Sequence, residues 1–206
     1  MPMDHSLQTI RAPSLHPRGL QLLGCALLLG ALASEVRAQS TTVSSPNAAF
    51  SRPEVTGLGG VVPTAPVRLR VWGFEVYDAR LWTPRGFRHS QAMQTGFALE
   101  LQYLRKLEGS AIASRSIDEM RRVGSFTDAQ AQTWLAAMRE LFPNVSAGER
   151  ITGVNLPGEG AEFWVNGQRV GVIKDVNFAR LFFGIWLDER TSEPKMRAQL
   201  LQGLQP

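Results

Sequence analysis

Apolar and polar residues alternate along two stretches in the middle of the chain, and this alternation predicts two β-strand segments. In residues 67–82 the alternation changes phase at Trp72-Gly73, which indicates a bulge or a turn. Residues 97–103 alternate without interruption, and Tyr103 stands on their apolar face. These two segments are the first predicted strands of the fold.

Helical spacing of apolar residues follows directly after these strands. The first predicted helix covers residues 110–123 and ends at Gly124. The second begins at a capping box formed by Thr127 and Gln130, and it ends at Pro143. Two consecutive helices therefore separate the first strands from the rest of the chain.

The last third of the chain repeats the order of strands followed by helices. Residues 151–173 predict further strands, and Asn166-Gly167 between them is a strong signal for a β-hairpin. Asp175 is placed to cap one helix, and Ser192 is placed to cap a final helix with Pro194 in its first turn. Segregated runs of this kind predict an α+β fold with an antiparallel sheet.

The first 38 residues have the three parts of a secretory signal peptide. Arg11 and Arg18 supply the positive charge, residues 20–33 form an apolar run of 14 residues, and a cleavage site follows Ala38. The run is shorter than the ~20 residues of a membrane-spanning helix. We therefore predict a periplasmic or secreted protein with no membrane span after cleavage.

The remaining chain divides into a leader and one domain. Residues 39–66 are rich in Ser, Thr, Pro and Gly, and their first part, residues 39–56, is predicted to be a flexible leader. Residues 57–206 are predicted to form the folded domain. Cleavage removes 38 of the 206 residues, and the 168 that stay are enough to bury a core.

Composition narrows the chemistry that is open to the mature chain. Cys25, the single cysteine, leaves with the signal peptide, so neither a disulfide nor a thiolate nucleophile remains. Three Arg and two acidic residues leave with it, which lowers the net charge from +4 to +3. The remaining cations are scattered, which argues against a nucleic-acid partner. The mature chain keeps one histidine, His89, and no cysteine, and these are too few ligands to predict a metal site. Nothing in the pattern indicates an oligomeric state.

Polar residues inside the apolar strands are the candidate ligand-binding residues. Arg68 and Arg70 share one face of the first strand, and Tyr103 stands beside Arg105 on one side of the second. An arginine next to a tyrosine hydroxyl in an apolar cavity binds a carboxylate or an enolate. In the alternative interpretation both arginines face water on the outer side of a one-sided sheet, and Tyr103 belongs to the core.

Three stretches of the sequence resemble the bacterial chalcone isomerase-like proteins. They are residues 72–82 (WGFEVYDARLW), residues 99–105 (LELQYLR) and the aromatic and glycine pattern of residues 163–187. The resemblance runs from about Gly57 to the end of the chain. It implies an open-faced β-sandwich, in which a large antiparallel sheet carries a layer of helices on one face and a ligand cleft lies between them.

The resemblance implies two functional options. Some members close a chalcone to a flavanone, whereas others bind fatty acids, and some relatives bind haem, without known catalysis. The catalytic Tyr, Lys and Asn of the enzymes fall near Ile112, Leu104 and Glu119 of this chain, so that set is missing here. Chalcone closure is therefore not expected.

We expect a non-catalytic binder of a small apolar ligand that carries an acidic group, a fatty acid or haem. Arg68, Arg70 and Tyr103 are its predicted ligand-binding residues, and no cofactor is expected unless haem is the ligand. The alternative is an intramolecular lyase or isomerase of the chalcone–flavanone type that uses Arg68 or Arg70 with Tyr103. A third option is a structural or partner-binding envelope protein, served by three aromatic residues: Trp72, Phe74 and Trp82.

Overall fold

The computed structural model describes residues 52–206, so the predicted signal peptide and most of the predicted leader lie outside the described residues. The described residues form seven strands, five α-helices and one 3-10 helix (His89–Gln94). The strands are β1 (Val62–Pro63), β2 (Val67–Val71), β3 (Phe74–Thr83), β4 (Phe97–Tyr103), β5 (Arg150–Leu156), β6 (Gly160–Val165) and β7 (Gln168–Ile173). The helices are α1 (Pro53–Thr56), α2 (Gly109–Val123), α3 (Asp128–Leu141), α4 (Val176–Leu187) and α5 (Pro194–Leu200).

All seven strands belong to one antiparallel sheet. Its order is β1-β3-β4-β5-β6-β7, and β2 pairs with β3 on the same side as β1 but at the other end of the strand. Helix α4 packs on β6, α3 on β7 and α5 on β2 and β3, while α2 packs on α3 and α4. The prediction of an α+β fold with a large antiparallel sheet and helices is confirmed.

Two tight turns with positive φ connect neighbouring strands. Trp72 and Gly73 (φ 50° and 83°) join β2 to β3, and Asn166 and Gly167 (φ 50° and 83°) join β6 to β7. Both pairs have the φ values of a type I′ turn. The phase change at Trp72-Gly73 is thus a turn, and Val76 forms a separate β-bulge because Leu69 pairs with Tyr77 while Arg70 pairs with Glu75.

The helix starts follow the predicted capping residues in two of three cases. Thr127 and Gln130 form the predicted capping box of α3. The Asp175 carboxylate accepts hydrogen bonds from the backbone N–H groups of Asn177 and Phe178 at the start of α4, and it also accepts one from Trp134 Nε1 at 2.9 Å. The N-cap predicted for the last helix was wrong, because Glu193 rather than Ser192 stands at the N-cap of α5 and makes no side-chain capping bond, whereas Pro194 lies in the first turn as predicted.

The inner face of the sheet, which the helices cover, carries the main core. Its largest feature is a group of phenylalanine rings in mutual edge or stacking contact, contributed by the sheet and by α4: Phe97, Phe163, Phe178, Phe182 and Phe183. Aromatic pairs of this geometry stabilise a core beyond their buried area. The helical layer is therefore fixed firmly against the middle of the sheet.

The outer face of the sheet carries a smaller cluster under the N-terminal segment. Helix α1 lies against β4, β5 and β7 and buries Val55 beside Ala98 and Val154. Arg150 Nε donates to Glu54 Oε1 at 3.1 Å, and Arg52 Nε donates to Glu100 Oε2 at 2.6 Å. Residues 52–56 were predicted to belong to a flexible leader, and the structure corrects this, because these contacts place them in the folded domain.

Among residues 52–206, no helix combines the length and apolar character that crossing a membrane requires.

Candidate functional site

A cavity of about 310 Å³ opens between the inner face of the sheet and helices α2, α4 and α5. Its volume is near the lower end of the ~300–1,000 Å³ that is usual for small-molecule sites. Leu101 and Ile151 of the sheet line it, together with Phe142 after α3 and Phe182 and Ile185 of α4. These apolar walls exclude most polar contacts, so the few polar groups in the cavity determine how a ligand is oriented.

Two tyrosines supply polar groups to the cavity. Tyr77 and Tyr103 are register partners on β3 and β4, and their rings meet edge-on with centroids 6.1 Å apart. Tyr103 is 2% exposed, and its hydroxyl has no hydrogen-bond partner among the described residues. The Tyr77 hydroxyl accepts a hydrogen bond from Trp186 Nε1 at 3.0 Å, which leaves its own proton free to donate.

Burial keeps both phenols protonated. Desolvation raises the pKa of Tyr103 well above its usual range, and the neighbouring Tyr77 raises it further. Desolvation also raises the pKa of Tyr77, although the hydrogen bond from Trp186 acts in the opposite direction. Both phenols are therefore neutral O–H donors at neutral pH and above it, and a ligand carboxylate or carbonyl oxygen can accept a hydrogen bond from both.

An ion pair on α2 lines the same cavity. Arg115 Nη2 lies 2.6 Å from Glu119 Oε1, although the pair lacks the alignment of a hydrogen bond, and Arg122 Nε lies 3.6 Å from Glu119 Oε2. Glu119 is buried whereas the Arg115 side chain is largely exposed, so Arg115 marks the mouth of the cavity. Because a guanidinium has five N–H donors, Arg115 can bind a ligand acid while Glu119 holds it in position.

Arg197 of α5 also reaches the cavity but is already engaged. Its Nε donates to the backbone oxygen of Leu187 at 2.7 Å, and its Nη2 lies 3.9 Å from Glu189 Oε1. The bond to Leu187 fixes the direction of the guanidinium. Arg197 therefore adds positive charge near the mouth rather than a freely moving anchor.

The structure places Arg68 and Arg70 on the outer face of the sheet, away from Tyr103. The two side chains point outward from β2, where Arg68 makes two hydrogen bonds of 2.8 Å to Asp78 and Arg70 makes one of 2.7 Å to Glu75. These bonds hold the pKa of Asp78 and of Glu75 below the usual range. Of the three predicted ligand-binding residues, the structure brings only Tyr103 to the cavity, because Leu69 and Val71 take the inward positions of β2.

Sequence reasoning missed several polar residues that line the cavity, among them Tyr77, Arg115 and Glu119. A signal existed for the pair on α2, since Arg115, Glu119 and Arg122 have the i,i+4 and i,i+3 spacing of a helical ion-pair group. No signal linked that group to β3. His89 lies in the 3-10 helix and does not line the cavity, and residues 52–206 contain no group of three His, Cys, Asp or Glu side chains placed to hold a metal ion.

Comparisons with known proteins place the chain in a family and support its fold. A protein of Haemophilus influenzae whose function is uncharacterized is 30% identical over 131 residues, and the match covers 63% of this chain and 63% of that protein. A crystal structure of an Arabidopsis thaliana fatty-acid binding protein superposes with a TM-score of 0.51 at 14% identity, over 68% of this chain and 84% of that chain. At this identity the likeness shows the fold alone. The sequence profile described as chalcone isomerase-like matches residues 64–202, most of the described domain, and the chain therefore belongs to the chalcone isomerase-like family.

Proposed function

We propose that this protein is an exported, non-catalytic binder of a small apolar ligand that carries an acidic group, of the fatty-acid class. The observation that carries the proposal is the pair of phenol donors, the half-buried Tyr77 and the buried Tyr103, in a mostly apolar cavity. Each phenol can donate a hydrogen bond into the cavity, and a ligand oxygen can accept from both. The leader in residues 1–38 supports export.

The lining of the cavity supports one orientation of the ligand. Arg115, Glu119 and Glu193 lie close enough to Tyr77 to change the pKa of its hydroxyl, so the phenols and the charged mouth form one polar end. An acid group at that end accepts hydrogen bonds from the two phenols and pairs with Arg115. The alkyl chain then lies along the apolar walls beside Phe142 and Phe182.

A linear acid fits the lining better than haem does. Histidine and cysteine, the commonest protein ligands of haem iron, are both missing from the lining residues of this cavity. The fatty-acid binding protein with a similar fold supports the same choice. The alternative of an intramolecular lyase depended on an arginine of β2 next to Tyr103, and the structure separates the two by placing Arg68 and Arg70 on the other face.

The binding proposal is tested by titrating a fluorescent fatty acid into variants of the cavity and of the outer face. We expect the double variant Tyr77→Phe/Tyr103→Phe and the variant Arg115→Met each to weaken binding by about 10- to 100-fold, as for hydrogen bonds to a charged group worth ~1.5–3 kcal/mol. The methyl ester of the same acid is expected to bind weakly to every variant, because it lacks the charge.

The matched control is Arg68→Met, which removes an arginine that the cavity does not contain, and its affinity should equal that of the wild type. A loss of affinity in Arg68→Met or Arg70→Met, with the tyrosine variants unchanged, would refute the proposed orientation. Protein-dependent closure of a chalcone above the spontaneous rate would instead support the lyase alternative.

A further inference from the structure

The turn between β2 and β3 exposes a cluster of apolar side chains, which we call the hairpin tip and define as residues 71–74. Trp72 is 95% exposed, Phe74 62% and Val71 40%. Most exposed apolar residues on a protein are scattered singly, so three within four positions of one turn are unusual. The hairpin tip therefore needs an explanation that the binding cavity alone does not provide.

The backbone at the hairpin tip is unfavourable for the residue that occupies it. Trp72 has a φ of 50°, a region that a bulky residue avoids and that Asn or Gly adopts readily. The turn at Asn166-Gly167 has the same pair of φ values and uses the ordinary residues. Because Trp72 is almost fully exposed, no packing within the described fold offsets this strain. Local rules of this kind are broken mainly at functional sites.

The hairpin tip is continuous with the cavity. Val71, one of its residues, lines the cavity, and so do Val76 and Tyr77 just beyond the turn. An apolar ligand that leaves the cavity past Val71 therefore meets Phe74 and Trp72 before it reaches open water. This continuity favours a partner that can hold the apolar ligand itself.

Positive charge lies on one side of the hairpin tip, against Phe74. The Arg105 guanidinium lies 5.2 Å from the centre of the Phe74 ring, and Lys106 follows it on the loop beside the bulge. Glu75, the carboxylate next to the tip, is already paired with Arg68 and Arg70. Exposed tryptophan and phenylalanine with basic residues around them match the headgroup region of an anionic membrane.

We propose that the hairpin tip inserts into the headgroup region of an anionic lipid bilayer, where the cavity exchanges its ligand with the membrane. Trp72 and Phe74 enter the interface, and Arg105 and Lys106 contact lipid phosphates. The proposal rests on the proposed function, and it adds the source of the ligand and the surface that reaches it.

The first test uses tryptophan fluorescence with vesicles that carry brominated acyl chains. Phosphatidylglycerol vesicles are expected to quench the wild type, pure phosphatidylcholine vesicles much less, and added salt is expected to weaken the effect. The variant Trp72→Asn should lose the quenching, although Trp82, Trp134, Trp164 and Trp186 remain.

The matched control is Val176→Ser, which removes a half-exposed apolar residue outside the cavity lining and should be quenched like the wild type. Equal quenching in Trp72→Asn and the wild type, or none in either, overturns the proposal.

The second test separates the membrane contact from ligand binding. Trp72→Asn is expected to bind a fluorescent fatty acid from solution with wild-type affinity, but to take it from phosphatidylglycerol vesicles about tenfold more slowly, which corresponds to ~1.4 kcal/mol. Uptake from vesicles at the wild-type rate overturns the membrane proposal and leaves the binding proposal standing. If neither the wild type nor Trp72→Asn binds the acid from solution, while vesicles still quench the wild type, the binding proposal alone is refuted. Self-association in sedimentation that Trp72→Asn abolishes, without quenching, would show that the tip contacts a second copy instead.

Discussion

At the scale of single residues, the two tyrosines of the cavity dominate the chemistry of the protein. They are the only tyrosines in the whole sequence, and both are held neutral by burial in an apolar cavity. The same burial that makes them useful donors also ties them to the folded state. When the pKa of a phenol is higher in the folded protein than in the unfolded chain, the free energy of unfolding falls as the pH becomes alkaline.

The sign of this dependence follows from the raised pKa values. For a group whose folded pKa lies above its unfolded value, stability is fully present below the unfolded pKa, about 10 for tyrosine, and is lost as the pH rises toward the folded pKa. We therefore expect the folded protein to show no tyrosinate absorbance near pH 10. The absorbance should appear only at higher pH, together with the loss of far-ultraviolet circular dichroism.

The urea-unfolded chain is the reference for this titration and should show both phenols ionising near pH 10. Tyr77→Phe and Tyr103→Phe should each remove about half of the final absorbance, since the chain has two tyrosines. Tyrosinate absorbance that rises at pH 10 while the circular dichroism stays intact would mean that these side chains are not held in a buried site.

The arginines of β2 show why the sequence pattern alone does not identify the residues of the site. Alternation correctly separates Arg68 and Arg70 from Leu69, but it does not show which side holds the helices. The partners Asp78 and Glu75 become visible only once the hairpin register is known. That register depends on a turn at Trp72-Gly73, where a tryptophan replaces the Asn or Gly that normally signals such a turn.

At the scale of elements, the short helix α1 has a larger role than its length implies. Glu54 is fully buried against Arg150, and Thr152 Oγ1 also donates to its carboxylate at 3.3 Å. A buried carboxylate with an arginine partner becomes costly when one of the two is removed. Helix α1 therefore closes the outer face of the sheet over β4 and β5.

Removal of α1 should destabilise the whole domain. We expect a chain that begins at Gly57 to lose about 2–4 kcal/mol of unfolding free energy relative to one that begins at Arg52. It loses the burial of Val55 and the bonds that Glu54 makes to Arg150 and Arg52 makes to Glu100, which leaves Glu100 only its contacts of 3.9 Å to Arg80 and 4.0 Å to Arg150. Urea unfolding of the two chains measures this difference. Glu54→Gln in the longer chain is the matched control for charge and should lose only part of that amount. Equal urea midpoints for the two chains would show that residues 52–56 do not stabilise the fold.

Elements with strong local signals were predicted well. The capping box at Thr127, the turn at Asn166-Gly167 and the N-cap at Asp175 are each specified by residues within a few positions of one another. Helix α1 had no such signal. The partner of Glu54 is Arg150, which lies 96 positions away in the sequence. Without knowledge of this contact, a segment rich in Ser and Pro is predicted to be a leader.

At the scale of the whole molecule, the predicted leader and the described domain meet at α1. Cleavage after Ala38 leaves every residue of α1 attached to the domain. We expect N-terminal sequencing of the protein from the cell envelope fraction to start at Gln39. An intact Met1 in that fraction would contradict export by a cleaved signal peptide, and a start beyond Thr56 would contradict the role of α1.

The position of the helical pair α2–α3 between two neighbouring strands has a consequence for how the sheet is assembled. Strands β5, β6 and β7 are joined by short turns, whereas β4 must find β5 across residues 104–149. Loop-closure entropy grows only with the logarithm of loop length, so this contact costs about 1 kcal/mol more than closing the connection of residues 84–96 between β3 and β4. We expect early formation of α2 and α3 to shorten the effective loop further. Because β4 and α2 both line the cavity, we expect the ligand site to form only in the step that joins the two halves of the sheet.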